Sequence, residues 1–225
     1  MSFTDLFYPR TCVNCGYLGV YLCPECQKKL AYLPKQLCFY CGKPSLYGLT
    51  HPHCQRRYQI DGTLSIFYYN FLLKKIILQF KYRLVRLLFA EVFNSFNWFE
   101  QYIFLKKLPK ETILQPIPLH RKRLLARGFN QALILTQQFN AYLHFKIGDY
   151  LERQVNTEPQ ANIQDKIKRK SNLQQAFKMH VPVAQDIPFV LIDDVLTTGA
   201  TLQSAAFQLK KAGVKKIYVL TVARG

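Results

Sequence analysis

Residues 190–202, VLIDDVLTTGATL, constrain the fold more than any other stretch of the chain. Val190, Leu191 and Ile192 close an apolar run, IPFVLID, with no polar residue at alternate positions. A strand of that kind is buried on both faces, so it needs strands beside it and helices above and below. It then meets two acids, Asp193 and Asp194, and a small-residue loop, Thr197-Thr198-Gly199-Ala200-Thr201, that opens a helical segment. Leu202, Ala205, Ala206 and Leu209 give that helix its apolar stripe, Gly213 is its stop signal, and Lys210 and Lys211 suit its negative end.

The rest of the chain after residue 59 repeats the alternation. LSIFYY (64–69) is aromatic and β-branched and reads as a strand. FLLKKIILQF places Leu72, Leu73, Ile76, Ile77 and Phe80 at helical spacing. ETILQPIPL reads as a strand that breaks at Pro116, residues 129–143 as a helix, and KIYVLTVA as a further buried strand. The expected fold class is α/β, with a mostly parallel sheet covered on both faces. In such sheets the ligand lies beyond the carboxyl ends of the strands, which is where Asp193 and Asp194 fall.

The chemistry of the loop and the acids is complementary. Free amides at a helix N-terminus, three threonine hydroxyls and a glycine that lets the backbone come close make a cup for a phosphate monoester. The acids repel a phosphate and must face something else: vicinal hydroxyls of a ribose, or a Mg²⁺ carried by the ligand. Together they describe a ribose 5-phosphate. Neither a Walker A loop nor a G-x-G-x-x-G fingerprint is present. An ordinary capped turn would need one such residue, not two acids and three threonines.

All seven cysteines precede residue 55, six of them in three C-x-x-C pairs. Cys12, Cys15, Cys23 and Cys26 have the spacing of two knuckles closing one tetrahedral zinc site. Gly16 and Gly42 follow their pairs where the backbone turns around the sulfurs. Cys38, Cys41 and Cys54, with His51 or His53, supply a second set. A fourth cysteine is expected near position 57, where the chain has Arg57, so this site is Cys₃His, weakened or empty. Three pairs exceed what a redox motif needs, and an odd count argues against a disulfide scaffold. The expected division is a zinc ribbon region at 1–58 with one complete and one incomplete ribbon, then an α/β domain at 59–225. Four-ligand zinc has no open position, so its role is structural.

Lysine and arginine number 31 against 13 acids, a net charge of +18. Such an excess attracts polyanions, nucleic acid first and anionic membrane second. No acid occurs from Gly62 to Ala90, which holds Lys74, Lys75, Lys81, Arg83 and Arg86. None occurs from Thr112 to Gly148, which holds Arg121, Lys122, Arg123 and Arg127; KIKRK (166–170) adds Lys168, Arg169 and Lys170. Phe80, Tyr82 and Phe129 interleave with these charges, as in grooves that hold single strands. Core packing is the simpler account of most of them, and Tyr82 is the best exposed candidate. No uncharged apolar run approaches the roughly 18 residues of a membrane span, and MSFTDLFYPR lacks the order of a signal peptide. A cytoplasmic protein is expected.

VLIDDVLTTGATL resembles the phosphoribosyl-pyrophosphate (PRPP) motif of type I phosphoribosyltransferases. PIPLHRKRLLARGFNQA (116–132), above all RGFNQ, is similar to the ComF family, as are the cysteine-rich start, LQFKYR (78–83), Arg153 with Gln160, and the run from Arg169 to Asn172 that leads to Ala176-Phe177. The resemblance covers nearly the whole chain and points to the ComFC branch. It implies a phosphoribosyltransferase-like domain in which Asp193 and Asp194 bind ribose hydroxyls and Thr197, Thr198, Gly199, Ala200 and Thr201 hold the 5-phosphate. Pro116, Ile117, Pro118 and Leu119 would lie near the pyrophosphate with Mg²⁺, helped by Arg121, Arg123 and Arg127, and the backbone near Lys81 and Tyr82 would form a hood.

Two functions follow from the resemblance. One is a competence protein that handles incoming single-stranded DNA in natural transformation, in the cytoplasm and near the inner face of the membrane. Its DNA candidates are Lys81, Tyr82, Arg83, Arg86, Arg121, Lys122, Arg123, Lys168, Arg169 and Lys170, and its partners an uptake channel or helicase and recombination proteins. The other is an active PRPP-dependent transferase. For that reading, no acceptor pocket or general base is identifiable in the sequence, and a PRPP motif alone does not establish catalysis.

Overall fold

The structure, a computed structural model, describes residues 9–80, 88, 91–92, 103–155, 176–183 and 186–225, with the Phe80 side chain excepted. Its centre is a five-stranded sheet of β1 (Gly62–Tyr68), β2 (Ile113–Pro116), β3 (Lys146–Ile147), β6 (Phe189–Leu196) and β7 (Ile217–Arg224). The spatial order is β1-β7-β6-β2-β3, and every pairing is parallel. β4 (Leu151–Arg153) and β5 (Phe177–Met179) form a separate antiparallel pair. Five helices of the α/β part carry labels here: α2 (Phe71–Phe80), α3 (Ile103–Lys106), α4 (Arg121–Arg127), α5 (Gln131–Leu143) and α6 (Ala200–Lys211); α1 (Pro24–Gln27) lies in the cysteine-rich region.

β6 is central because both its faces are apolar. Val190 and Ile192 join a core with Leu64, Ile66, Leu220 and Val222, under Leu73 and Ile76 of α2 and Leu135 and Phe139 of α5. Phe189 and Leu191 join the opposite core with Ile217 and Val219, under Leu202, Ala205, Ala206 and Leu209 of α6. This is the two-sided burial that the unbroken apolar run requires.

The cysteine-rich region is packed into these cores. Cys12, Leu22, Cys23, Cys26 and Leu30 belong to the first. The segment after α1 pairs along the outer strand: Tyr32 bridges Phe67, the Leu33 amide donates to the Ile66 carbonyl (2.9 Å), and the Tyr68 amide donates to Ala31 (2.8 Å). It covers the edge of β1 that would otherwise present open backbone groups. The Glu91 carboxylate accepts the amides of Tyr21 (2.8 Å) and Leu22 (2.7 Å).

RGFNQ is a joint between two helices. Gly128 closes α4 at φ 77°, its amide donating to Leu124. Asn130 caps α5, its Oδ1 accepting the Ala132 amide (3.0 Å). Its Nδ2 donates to the Ile117 carbonyl (3.1 Å), so the same side chain ties α5 to the loop after β2.

Lys210 does more than complement the end of α6. Its Nζ sits 2.7 Å from the buried carboxylate of Asp61, which also accepts the Ile217 amide (2.9 Å). Lys216 lies 3.5 Å from the other carboxylate oxygen. Asp61 thus joins the end of the cysteine-rich region to α6 and the start of β7. Removing it leaves the buried Ile217 amide unpaired and the half-buried Lys210 ammonium with only the Lys215 carbonyl (2.6 Å). Asp61→Ala should therefore lower the denaturation free energy by about 3 kcal/mol, read as a lower denaturant midpoint at unchanged slope.

Candidate functional site

Adjacent parallel strands bring the two sequence motifs to one edge. Pro116 of β2 is the register partner of Ile192 of β6, and the Ile117 amide donates to the Ile192 carbonyl (2.9 Å). The loop after β2 therefore leaves the sheet beside Asp193. Between them opens a cleft of about 400 Å³, lined by Ile117, Leu119, Arg123, Asn130, Gln131, Ala132, Arg153, Asp193, Thr198 and Thr201.

Asp193 and Asp194 are not equivalent. Asp193 lines the cleft. Asp194, next along the strand, does not line the cleft; its Oδ1 accepts the Val195 amide (2.7 Å), and its carboxyl also meets that of Asp193. Burial holds the Asp193 carboxyl well above the usual carboxylate range, and the charge of Asp194 adds to this. The Asp194 amide, donating to Asp193 Oδ1 (2.9 Å), and the charge of Arg153 oppose it. Burial and the charge of Arg123 in turn bring the Arg153 guanidinium below its ordinary pKa. Arg153 is held with its guanidinium 5.5 Å from the Phe177 ring centre, its Nε donating to the Val155 carbonyl (3.3 Å). The cleft thus holds a reluctant carboxylate and two guanidiniums, ready for a ligand with both anionic groups and hydroxyls or a bound cation.

Residues 197–201 carry the chain from β6 into α6. Gly199 is the N-cap of α6 at φ 71°, with no side-chain cap. Its neighbours Thr198 and Thr201 line the cleft, and Thr197 is exposed. The Ala200 amide lies 3.4 Å from Thr198 Oγ1. No charged residue stands in the first turn of α6, which leaves its positive end open to an anion.

Gln131 is a cleft residue to which its motif alone assigns no role. Arg127 Nη1 donates to its Oε1 (2.8 Å). A guanidinium only donates, so the amide oxygen faces Arg127 and the NH₂ points away from it. That Nε2 is buried without a protein partner, in a residue 6% exposed. An orphaned buried donor costs stability on the order of 1–3 kcal/mol.

Several expected roles change place. Arg127 does not line the cleft; it orients Gln131 instead. Ile117 and Leu119 line the cleft, whereas Pro116 and Pro118 line a neighbouring apolar cavity of about 590 Å³ with Leu124, Phe129 and Leu133. Phe129 packs against the core. Arg123 lines the cleft, while its neighbours Arg121 and Lys122 are exposed and do not line it. Lys81, Tyr82, Arg83, Arg86, Lys168, Arg169 and Lys170 lie outside the described residues, as does Gln160.

Both cysteine sets converge. The ligand atoms of Cys12, Cys15, Cys23 and Cys26 lie within 4.8 Å of one another, and so do those of Cys38, Cys41, His51 and Cys54. Cys15 and Cys23 Sγ are 3.6 Å apart, close to the roughly 3.8 Å between sulfurs on one tetrahedral zinc and far from the roughly 2.05 Å of a disulfide. His51, not His53, completes the second set: its Nδ1 is 3.3 Å from Cys41 Sγ, its Nε2 3.1 Å from the Pro44 carbonyl, and His53 stacks on its ring. That carbonyl fixes Nε2 as the protonated nitrogen and frees Nδ1 for a metal. Burial pushes Cys12 up, but amides of Cys15, Cys23 and Asn14 bring it to about 6. Asn14 pulls Cys26 down while burial and the neighbouring sulfurs carry it up to about 12. In the second set Cys38 stands at about 6 and Cys54 at about 11. Four thiolates in such a space need a cation to coexist. The donor sets fit structural zinc, S₄ in one and S₃N in the other.

Competence protein F of Haemophilus influenzae is 31% identical over 236 aligned positions, spanning 97% of this chain and 98% of that one. The chain belongs to the ComF family. Competence protein ComFC of Bacillus subtilis is 31% identical over 85% of this chain and 79% of its own. DNA utilization protein YhgH of Escherichia coli is 30% identical over 93% of this chain and 92% of its own. A family model described as a double zinc ribbon domain matches residues 3–56 of this ComF-family chain. Among solved structures, a purine phosphoribosyltransferase from Pyrococcus horikoshii overlays 55% of it, and 78% of that chain, at 17% identity and a TM-score of 0.32.

Two outcomes follow for this ComF-family site. Metal analysis of purified protein should find two zinc ions per chain, falling to one in His51→Ala and staying at two in His53→Ala. Asp193 should oppose folding above acid pH. A carboxyl whose folded pKa is raised contributes stability that is complete below the unfolded value of about 4 and is lost as pH rises through the folded value. Asp193→Asn should therefore melt higher than wild type without ligand, and the gap should widen as pH rises from 4 until it levels off above the raised pKa.

Proposed function

We propose that this protein serves in natural competence, handling incoming single-stranded DNA, and that its cleft binds PRPP with Mg²⁺. Relatives named for competence and for DNA utilization support the first part. One convergence supports the second: a single cleft brings together an aspartate, two guanidiniums and the threonines at an anion-receptive helix N-terminus.

The roles follow from the chemistry. Amides and hydroxyls of residues 197–201 hold the 5-phosphate. Asp193 accepts the ribose hydroxyls, with Asp194 behind it. Arg123 and Arg153 meet the pyrophosphate, with Gln131 in the wall of the cleft beside them. Mg²⁺ neutralises the pyrophosphate and is attracted by Asp193 once that group ionises. Arg121 and Lys122, exposed in the same helix as the cleft residue Arg123, are phosphate contacts for a passing strand. Phosphate contacts of this kind carry no sequence information. Among the described residues no helix is long and apolar enough to cross a membrane, so approach to the membrane face would rest on charge.

The two guanidiniums also suit a departing pyrophosphate, which makes transfer from PRPP to an unknown acceptor the second reading. Titration of labelled single-stranded DNA across a salt series, with and without PRPP and Mg²⁺, separates the two. The first reading expects a steep loss of affinity with salt and a shift on adding PRPP that disappears in Asp193→Ala/Asp194→Ala. Negligible DNA retention at low salt by well-folded protein overturns it. PRPP binding with pyrophosphate release and no DNA response establishes the second.

A further inference from the structure

The second cysteine set reaches the anion loop. Phe39 lies between its ligands Cys38 and Cys41, yet its ring packs against the core under α6. A Cβ at Gly199 would stand 2.4 Å from Phe39 Cζ and 3.0 Å from Cε2. The aromatic ring therefore lies directly on the glycine that turns the loop into α6. Gly199 lacks a side chain for two reasons: its φ of 71°, and the ring pressed against it.

The knuckle that carries Phe39 is held at both ends. Arg224 Nη1 donates to the Leu37 carbonyl and its Nη2 to the Cys38 carbonyl, each at 3.0 Å. Arg224 is the register partner of Leu196, and the Gly225 amide donates to the Leu196 carbonyl (3.0 Å). On the other side Tyr40 Oη accepts the Ile60 amide (2.9 Å). The knuckle, the end of β6 and the loop thus form one packed unit. A metal at Cys38, Cys41, His51 and Cys54 fixes the backbone from which the ring projects.

We propose that Phe39 is a positioning residue for the anion loop, so that zinc in the second set and the phosphate in residues 197–201 favour each other's binding. This rests on the reading of that loop as a phosphate site. Each ligand stabilises the same contact, and linkage requires the effect to be reciprocal. A purely structural ribbon would show no such reciprocity.

The test uses zinc-loaded full-length protein, PRPP with Mg²⁺ as the probe, calorimetry for its affinity, and equilibrium competition with a colorimetric chelator for zinc affinity. Saturating PRPP should tighten one zinc about fivefold in wild type, and this tightened site should be missing in His51→Ala. Phe39→Ala should weaken PRPP binding about tenfold and abolish the tightening, whereas Phe39→Leu, which keeps the packing, should stay within about twofold of wild type. Wild-type zinc affinity that ignores bound PRPP at both sites overturns the proposal without any variant. Unchanged PRPP affinity in Phe39→Ala with its zinc retained also overturns it. Should Phe39→Ala fail to fold, the wild-type zinc affinities and Phe39→Leu decide. Wild type that binds no PRPP removes the functional reading itself, and the coupling with it, a result visible before any substitution is made.

Discussion

The bond from the Ile117 amide to the Ile192 carbonyl is the last rung between β2 and β6, and the site depends on it. It sets the height at which one loop leaves the sheet beside the other. Side chains along a strand alternate with period two, so a slip of one residue would turn Asp193 away and offer Asp194 in its place. Such a slip would also expose one half of the apolar set of β6 to the wrong core. The burial of Phe189, Val190, Leu191 and Ile192 thus holds the register on which the site relies.

Polar groups at that edge are expensive without ligand. Asp193 is a buried carboxyl beside a second acid, Arg153 a guanidinium partly withdrawn from water, and Gln131 a donor with nothing to bond. Only the Gln131 amide departs from the rule that buried polar groups are satisfied; Asp193 and Arg153 keep hydrogen-bond partners, but their surroundings disfavour the charged forms. The three residues line one cleft, and perturbed groups gathered in a cleft mark a candidate site more strongly than any one of them alone.

The cysteine-rich region is part of the same body. One cysteine set joins the core on the α2 face, the following segment shields the edge of β1, and the other set presents Phe39 to the opposite core. Asp61 and Arg224 then bind this region to α6 and β7 through charge-assisted bonds to side chains and carbonyls. Zinc in its cysteine sets would fix this region as a scaffold that the sheet uses.

Local chemistry was enough for much of this. The unbroken apolar run before Asp193 demanded a two-sided strand, the spacing of Leu202, Ala205, Ala206 and Leu209 a helix face, and C-x-x-C pairs a metal site, because each is a short-range pattern with one economical solution. The charge of +18 and the threonine loop likewise spoke for anions before any fold was known. What the sequence could not decide were relations between distant residues. That Arg127 serves Gln131 while Arg123 enters the cleft depends on the pitch of α4. That His51 rather than His53 completes the metal set depends on the turn at Pro52. Nothing near position 39 or 199 announces their contact, 160 residues apart. Only the packing of one sheet against its covering elements creates it, since tertiary neighbours are chosen by burial and shape across the whole chain and leave no periodic trace along it.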